Sequence, residues 1–457
     1  MERDILLRLK ILRRPGALGL VATEIGRAGA LIGEIRSMRI GRDYNIREIA
    51  LASSSDAQMA EVIANLRSLA GVEIVSIDDR ALRRHEGGKI RTVSMVPCET
   101  IADLRDIYTP GVARVCLAIK DDPTLAQKYT AVGRTVAIVT NGTRVLGLGD
   151  IGPVAGLPVM EGKSVLYDRF AGISGIPILF HSKDPETIVR CVEEISSGFG
   201  GIHLEDIRTP DCFVIERLLE ERLDIPVMHD DQHGTAVVAL AAAMNACAAT
   251  GMDLRESTVG VVGLGAAGMG ISTLLMLHGV KKVLGADREE GARRMLAERG
   301  GEAVGTMEDL LGRADVVISV TGVPRLLEGK ALRKGCVVLA LSNPFPEIST
   351  EAALSAGAAF AADGASVNNA LAYPGIFRGA LAARATRING AMKIAAARAI
   401  AAAAEEGEIV PPPLDPAVHL AVARASAKAA LDSGVAREKG LDVEEAIRPV
   451  KEFRPPH

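Results

Sequence analysis

The segment TVGVVGLGAAGMGISTLLMLH, residues 258–278, decides the fold of this chain. Its apolar start, 258–262, is typical of a strand buried in a parallel sheet, and the part that ends at His278 is predicted as a helix. Between them lies a Gly-x-Gly-x-x-Gly sequence, made of Gly263, Leu264, Gly265, Ala266, Ala267 and Gly268. A second predicted strand, 282–286, follows, so the segment begins a βαβ unit.

This glycine loop, residues 263–268, predicts a dinucleotide site because of its position between a strand and a helix. Glycines let the backbone approach a pyrophosphate, and the N-terminus of the helix favours negative charge. Asp287, nineteen residues after Gly268, is placed to accept hydrogen bonds from ribose hydroxyls. Asp287 favours NAD by repelling a 2′-phosphate, whereas Arg288 could hold one, so NADP stays open. A glycine-rich turn that binds nothing is the alternative.

The chain as a whole is predicted to be an α/β protein with several domains. Further short apolar strands continue the parallel sheet, so we predict a Rossmann-type domain with C-terminal helices over residues 236–457. Strands and helices also alternate over residues 93–235, which we predict to be a second α/β domain. Within it, Asn141-Gly142 predicts the turn of a β-hairpin over 136–148, because this pair tolerates positive φ.

The first 80 residues, 1–80, predict a small ferredoxin-like domain with the element order βαββαβ. Apolar residues alternate at its start, as in a half-buried strand, and recur at helical spacing after a turn at Arg14-Pro15-Gly16. Two strand-like runs, a second helix and a last strand follow. Residues 81–92 are polar and basic and contain glycine, so we predict a linker there.

Composition excludes several classes of protein. The chain has 457 residues with 53 lysines and arginines against 57 acidic residues, so no excess of positive charge predicts binding to nucleic acid or an anionic membrane. No apolar run approaches the ~18–20 residues that span a bilayer, and the charged start is unlike a secretory signal. Six cysteines without a Cys-x-x-Cys pair exclude a disulfide scaffold and a cysteine zinc site. We therefore expect a reduced, cytoplasmic protein.

Carboxylates at two predicted strand ends suggest a metal site. Glu205 and Asp206 follow one apolar run, and Asp231 follows a second run in HDDQH, residues 229–233. Oxygen ligands of this kind suit Mg²⁺ or Mn²⁺. Solvated turn acids or helix caps are the alternative. His229 and His233 lack the His-Glu-x-x-His pattern of a zinc site, which favours local hydrogen bonding.

Five further side chains are candidates for proton transfer or for contact with a ligand. Lys163 lies in an apolar segment, where burial would lower the pKa of its ammonium group and make it a base; an exposed lysine is the alternative. Tyr108, on a Pro-Gly turn, is a candidate proton donor, and Arg144 could clamp a carboxylate; loop packing and a surface position are their alternatives. Asn343 and Asn369 follow predicted strands, where ligands of such sheets bind.

Together these segments resemble the malic enzyme family in its shorter bacterial form. The matching stretches are YTPGVARVC (108–116), LGLGDIGPVAGLPVMEGK (146–163), LEDI (204–207), HDDQHGTA (229–236), GLGAAG (263–268), LSNP (341–344) and VNNALAYPGIFRGAL (367–381). The resemblance is near continuous from about residue 85 to residue 435. It implies a malic-enzyme N-terminal domain over 93–235 and the metal-dependent oxidative decarboxylation of malate to pyruvate and carbon dioxide, with reduction of NAD or NADP.

The resemblance also implies a role for each candidate residue. Tyr108 would be the general acid and Lys163 the general base. The implied ligands of Mg²⁺ or Mn²⁺ are Glu205, Asp206 and Asp231. Arg144 would contact the substrate. Asn343 and Asn369 would contact the substrate or the nicotinamide. The implied cofactor contacts are Gly263, Gly265, Ala266, Ala267, Gly268, Asp287, Arg288 and Asn343.

Residues 1–80 resemble an ACT domain, a module that often pairs with a copy of itself and binds small effectors such as amino acids. This implies regulation by an effector and a homodimer or higher homo-oligomer. Arg14 stands where many amino-acid-binding ACT domains have an acidic residue, so the ligand is left open. Two other functions fit parts of the chain: an amino-acid dehydrogenase of the glutamate or leucine type, and an effector-binding module with a decayed catalytic half.

Overall fold

The structure, a computed structural model, describes residues 3–145, 147–364 and 367–449. Two compact units are present, Met1–Lys89 and Ile90–His457, and each has a hydrophobic core. Leu146, which opens the quoted segment 146–163 and falls within the predicted hairpin, lies outside the described residues. Within the described ranges, no helix combines the length and the apolar character that crossing a membrane requires.

The first unit is a four-stranded antiparallel sheet with two longer helices, the first two of its three, packed against one face. Its strands are β1 (Arg3–Leu12), β2 (Leu31–Ile40), β3 (Tyr44–Ser53) and β4 (Val72–Asp79), and its helices are α1 (Ala17–Arg27), α2 (Asp56–Ser68) and α3 (Arg80–His85). The strand order is β2-β3-β1-β4. Leu7 and Leu9 are fully buried against Val21 and Ile25 because alternate residues of β1 share one face. The predicted element order is therefore present.

The predicted linker, 81–92, differs from the structure in its first part. Residues 81–85 continue α3, because the side chain of Asp79 accepts hydrogen bonds from the backbone N–H groups of Ala81 at 2.9 Å and Leu82 at 3.1 Å. Such a cap satisfies amide groups that have no partner within the helix, so it stabilises a short helix in a polar sequence. The chain leaves the first unit only after Lys89.

The second unit contains two parallel sheets. The first, of order β6-β5-β7-β8, is formed by β5 (Thr135–Thr140), β6 (Ser174–Leu179), β7 (Gly201–Leu204) and β8 (Val227–His229). The second, of order β11-β10-β9-β12-β13-β14, is formed by β9 (Thr258–Val262), β10 (Lys282–Ala286), β11 (Glu302–Ala303), β12 (Val316–Ser319), β13 (Val337–Ala340) and β14 (Phe360–Asp363). The Rossmann-type sheet that the glycine loop predicts is thus present.

Fifteen α-helices are described in the second unit. They are α4 (Ile101–Ile107), α5 (Gly111–Asp121), α6 (Ala126–Tyr129), α7 (Gly152–Ala171), α8 (Pro185–Ile195), α9 (Asp211–Arg222), α10 (Asp230–Ala249), α11 (Ala266–His278), α12 (Glu290–Glu298), α13 (Met307–Arg313), α14 (Thr350–Ser355), α15 (Tyr373–Ala382), α16 (Gly390–Ala403), α17 (Pro416–Asp432) and α18 (Val443–Ala446). The predicted helix that ends at His278 is α11, and it begins within the glycine loop.

The predicted hairpin at 136–148 is wrong. Its first strand is β5, which pairs in parallel with β6 on one side and with β7 on the other. Both edges of β5 are therefore occupied, and no antiparallel partner can join it. Gly142 does have a positive φ of 62°, but the chain turns there into a loop that leads to α7.

The predicted boundary between residues 235 and 236 falls inside α10. This helix packs in one hydrophobic core that contains Val136 and Ile138 from the first parallel sheet and Val259 and Val261 from the second. All four side chains are fully buried. The two sheets therefore share a core, and a single buried helix passes between them where the sequence predicted a separation.

Candidate active site

Lys163 lies on α7 with only 8% of its surface exposed. Its ammonium Nζ is 3.0 Å from Glu205 Oε1, donates a short hydrogen bond to Asp230 Oδ2, and sits 4.6 Å from the ring centre of Tyr373. Asn369 Nδ2 donates to the same Asp230 oxygen at 2.9 Å. Four segments of the chain therefore meet at one buried cation.

The pKa of Lys163 runs opposite to the prediction. Burial by itself lowers the pKa of the ammonium group, but the charges of Asp230 and Glu205 outweigh burial and raise the pKa well above its usual value. The lowered pKa was predicted from the apolar residues next to Lys163 in the sequence. The two carboxylates come from distant strand ends, so their effect could not be read from that segment.

The three predicted metal ligands come together. Glu205 and Asp206 follow β7, and Asp231 lies in the first turn of α10, directly after β8. Because β7 and β8 are parallel neighbours, their carboxyl ends lie at the same edge of the sheet. One oxygen atom from each of the three side chains lies within 4.8 Å of the others. The backbone N–H of Asp206 also donates to Asp231 Oδ2 at 2.9 Å.

The electrostatics of this cluster suit a divalent cation. Burial raises the pKa of Glu205 to about 7, and burial together with the charges of Glu205 and Asp231 raises the pKa of Asp206 to about 9. Asp206 Oδ2 is buried and has no hydrogen-bond partner among the described residues. Asp206 also has a φ of 54°, an uncommon backbone conformation that occurs at functional sites. A bound cation would relieve the repulsion and satisfy the oxygen atom.

Two buried side chains, His203 and Tyr167, hold Glu205 through consecutive hydrogen bonds. His203 Nε2 lies 2.7 Å from Glu205 Oε2, and the hydroxyl of Tyr167 lies 2.8 Å from His203 Nδ1. Burial lowers the pKa of His203 to about 3, so its ring is neutral. His203 is not among the site residues predicted from the sequence. Its signal is a histidine within the apolar strand β7, two positions before Glu205, where side chains share a face.

The ring of one histidine of the HDDQH segment, His233, forms a hydrogen bond, whereas the ring nitrogens of His229 are buried without a hydrogen-bond partner among the described residues. The buried carboxylate of Glu216 on α9 accepts the backbone N–H of His229 at 2.7 Å and contacts His233 Nε2 at 3.1 Å. His229 Nε2 lies 3.2 Å from Asp231 Oδ2. Gly234 is required here, because a Cβ at this position would overlap Asp230 Oδ1. Glu216 is not among the residues predicted from the sequence. Asp230 belongs to the carboxylate cluster that suggested a cation site, but its contact with Lys163 was not predicted.

The remaining candidates lie outside this contact network. The backbone N–H of Arg144 donates to the carbonyl of Asp206 at 3.0 Å, while its side chain is exposed. Asn343 Nδ2 donates to the carbonyl of Gly364 at 2.8 Å. Tyr108 is 67% exposed, and its hydroxyl makes no hydrogen bond among the described residues.

The glycine loop has the geometry that a dinucleotide needs. Gly263 has a φ of 90°, and a Cβ at Gly268 would overlap the Gly263 carbonyl, whereas a Cβ at Gly265 would meet no protein atom within 4 Å. Asp287 Oδ2 accepts the backbone N–H of Leu264 at 2.6 Å, so the acidic residue closing β10 contacts the loop directly. Arg288 is exposed beside it.

Comparison with known proteins gives consistent matches. Residues 87–220 match the family described as malic enzyme, N-terminal domain, and residues 232–312 and 310–434 match malic enzyme, NAD binding domain. NAD-dependent malic enzyme 1 of Bacillus subtilis is 54% identical over 418 residues, which cover 91% of this chain and 95% of that protein. The NAD-dependent malic enzyme of Geobacillus stearothermophilus is 40% identical over 463 residues, covering 96% and 97%.

Solved structures match as well. The crystal structure of malic enzyme from Pyrococcus horikoshii has a TM-score of 0.74 and 40% sequence identity. The match covers 80% of this chain and 93% of that one.

Binding of Mn²⁺ should release a proton. At pH 7 a carboxyl group with a pKa of about 9, as at Asp206, is mostly protonated, and a cation binds its ionised form. We expect release of between one and two protons per bound ion at pH 7, about one from Asp206 and about half from Glu205, whose pKa is about 7, and tighter binding as the pH rises towards 9. Calorimetry in buffers of different ionisation enthalpy measures both quantities.

Asp206→Asn should lower the proton release by about one proton per ion, whereas Asp224→Asn, at a side chain that is 84% exposed, should leave it unchanged. Mn²⁺ binding with no proton release at pH 7, or with an affinity independent of pH, would contradict this account of the carboxylate cluster.

Proposed function

The chain belongs to the malic enzyme family, and on this premise we propose which of its side chains carry out the reaction. It is an oxidoreductase that decarboxylates malate to pyruvate and carbon dioxide while reducing NAD. The alternative hypotheses, an amino-acid dehydrogenase and a decayed effector-binding module, are therefore wrong. The observation that carries the proposal is the buried contact of Lys163 with Asp230 and Glu205 beside three converging carboxylates.

We assign Glu205, Asp206 and Asp231 as the ligands of Mg²⁺ or Mn²⁺. Support comes from the closeness of their oxygen atoms and from the buried, unpartnered Asp206 Oδ2. A divalent cation held there would offset carboxylate charge, lower the pKa of Lys163 and withdraw electron density from the substrate oxygen atoms. His203 fixes one oxygen of Glu205, which leaves the other to face Lys163.

Lys163 is the general base in this proposal. Its neutral amine would accept the proton of the malate C2 hydroxyl, and bound NAD would supply the acceptor for the C2 hydride, so that malate becomes oxaloacetate. Asp230 positions the amine, and Asn369 in turn holds Asp230. Loss of carbon dioxide from C3 then leaves an enolate, which requires a proton at C3 to become pyruvate.

Arg144 and Asn343 are proposed to contact substrate and nicotinamide. The backbone hydrogen bond between Arg144 and Asp206 holds the arginine beside a metal ligand, and its exposed guanidinium is free to clamp a carboxylate of malate. Asn343 stands after β13, where the second sheet presents its carboxyl edge.

Tyr108 is proposed to donate the C3 proton from a second copy of the chain. Tyr108 lies between α4 and α5, two helices in which no residue is buried. Ile101 is 74% exposed and Leu117 is 59% exposed, so the two helices present apolar side chains to solvent. Such a surface is typical of an interface. A homodimer would cover it and would bring Tyr108 towards the Lys163 of the other copy.

The reaction and its base can be tested together. With malate, NAD and Mn²⁺ we expect NADH formation, which stops when a chelator removes the cation; NADP is tested in parallel. Lys163→Ala should lower kcat by about 10²–10⁴-fold because proton abstraction is lost. The Kd for NADH, followed by fluorescence, should stay unchanged. Lys183→Ala, at an exposed lysine paired with Asp150, is the control and should retain full activity.

Unchanged turnover of Lys163→Ala would rule out its role as base. Full activity in the presence of the chelator would rule out the assigned metal ligands, and it would leave the role of Lys163 standing.

Mixed dimers test the position of Tyr108. Tyr108→Phe and Lys163→Ala should each be inactive alone, while a one-to-one mixture, unfolded and refolded together, should recover about a quarter of the wild-type activity. In a mixed dimer one site carries both substitutions and the other carries neither, provided that Tyr108 acts on the other copy. If Tyr108 acts within its own chain, every site keeps one substitution and the mixture stays inactive.

The first unit is proposed to be an ACT-like regulatory and assembly domain. It has its own core, and its edge strand β2 exposes apolar side chains, with Leu31 71% exposed and Ile40 69% exposed. An exposed, apolar edge strand is a surface on which a second copy can pair. The effector is left as a small molecule of open identity.

Removal of residues 1–89 tests this domain. We expect fewer subunits per oligomer in solution, or loss of a response to one member of a panel of amino acids. The basal kcat should be retained because Lys163 and Tyr108 both lie in the second unit, which keeps its own proposed interface at α4 and α5. Light scattering and steady-state kinetics with the panel provide the readouts. An unchanged number of subunits together with identical kinetics in the presence of every amino acid would contradict the proposal.

A further inference from the structure

Glu347 is a fully buried carboxylate that the proposed reaction does not use. It lies between β13 and α14, with a relative exposure of 0%. No lysine, arginine or histidine pairs with it within the parts of the chain that the structure describes. Burying a carboxylate without a cation is costly unless hydrogen bonds replace the water, so its partners explain why it is there.

These partners belong to two loops. Glu347 Oε1 accepts hydrogen bonds from the backbone N–H of Thr321 at 2.6 Å, from the Thr321 hydroxyl at 2.9 Å and from the Ser342 hydroxyl at 2.6 Å. Glu347 Oε2 lies 3.4 Å from the backbone N–H of Ser342. Thr321 follows β12 and Ser342 follows β13, so one side chain joins the loops at the ends of two neighbouring strands.

The direction of each hydrogen bond is fixed by the donors around it. The Ser342 hydroxyl oxygen accepts the backbone N–H of Gly322 at 2.8 Å, and the Thr321 hydroxyl oxygen accepts that of Val323 at 3.1 Å. Both hydroxyl hydrogens are therefore directed at Glu347. An ionised carboxylate only accepts, so it is the side chain that this ring of donors requires.

The two loops lie on the nicotinamide side of the cofactor site. In the strand order β11-β10-β9-β12-β13-β14 the connections change direction between β9 and β12, where a dinucleotide bridges the two halves of such a sheet. Asp287, after β10, faces the ribose of the adenosine half. The opposite half then lies against the ends of β12 and β13, and Asn343 is the residue directly after Ser342.

We propose that Glu347 is a positioning residue for the nicotinamide half of the cofactor. It acts through Thr321 and Ser342, holds the two loops at a fixed separation, and so sets the place of Asn343. This inference rests on the proposed cofactor site but not on the metal ligands or on Lys163.

The test compares two ligands that share the adenosine half. NADH carries the nicotinamide, and ADP-ribose lacks it. In the full-length protein, Glu347→Ala should weaken NADH binding about tenfold or more, because four donors lose their acceptor, while the Kd for ADP-ribose changes less than about twofold. Glu347→Gln should fall between Glu347→Ala and the wild type, because its amide oxygen can replace Oε1.

Two further variants complete the design. Glu351→Gln alters an exposed carboxylate on α14 and should leave both ligands unaffected. Thr321→Val removes one donor while keeping the size of the side chain and should weaken NADH selectively, which keeps the proposal testable if Glu347→Ala does not fold.

An equal loss of affinity for both ligands, or no loss for either, in Glu347→Ala would overturn the inference; where that variant does not fold, the same results in Thr321→Val would do so. If the wild type binds neither NADH nor ADP-ribose, the cofactor site itself is wrong. A larger loss of affinity for NADH than for ADP-ribose supports Glu347 whether or not malate turns over, and a larger loss for ADP-ribose would overturn the inference.

Discussion

The fold of the second unit is organised around one buried charge, the ammonium of Lys163. A cation with so little exposure is stable only beside anions, and Asp230 and Glu205 supply them from the ends of two different strands. The pairing therefore fixes α7 against β7 and the start of α10. The same contacts bring the carboxylates of Asp206 and Asp231 close to that of Glu205. Structure and chemistry thus depend on the same electrostatic balance, since the anions that stabilise the lysine also hold it in its charged form.

Both parallel sheets place their chemistry at the carboxyl ends of strands, but they support it differently. In the first sheet, side chains carry charge, and neutral His203 and Tyr167 restrain Glu205 from the protein interior. In the second sheet the glycine loop leaves room for a ligand, and the carboxylates of Asp287 and Glu347 accept backbone N–H groups of the surrounding loops. Anionic side chains in the second sheet therefore hold the loops in place.

The sequence predicted the local features of the fold well. Strand-and-helix periodicity, the glycine loop and the convergence of Glu205, Asp206 and Asp231 all follow from patterns within short segments or from the rule that parallel strands end at one edge. The errors arise where distant segments decide the outcome. The predicted hairpin at 136–148 is wrong because both edges of β5 pair with strands that come later in the chain. The predicted direction of the Lys163 pKa is wrong because the carboxylates that raise it, Asp230 and Glu205, are distant from Lys163 in sequence.

The helix α10 connects the two sheets without a break. It is 20 residues long, which corresponds to about 30 Å, and it starts with the carboxylates of Asp230 and Asp231 and ends in the core of the cofactor-binding sheet. Because α10 is continuous, the chain has no hinge between residues 235 and 236, where the sequence predicted a boundary between two domains. Recombination between related dehydrogenases would therefore have to exchange this helix whole, because a crossover within it would separate the carboxylates of Asp230 and Asp231 from the packing that orients them.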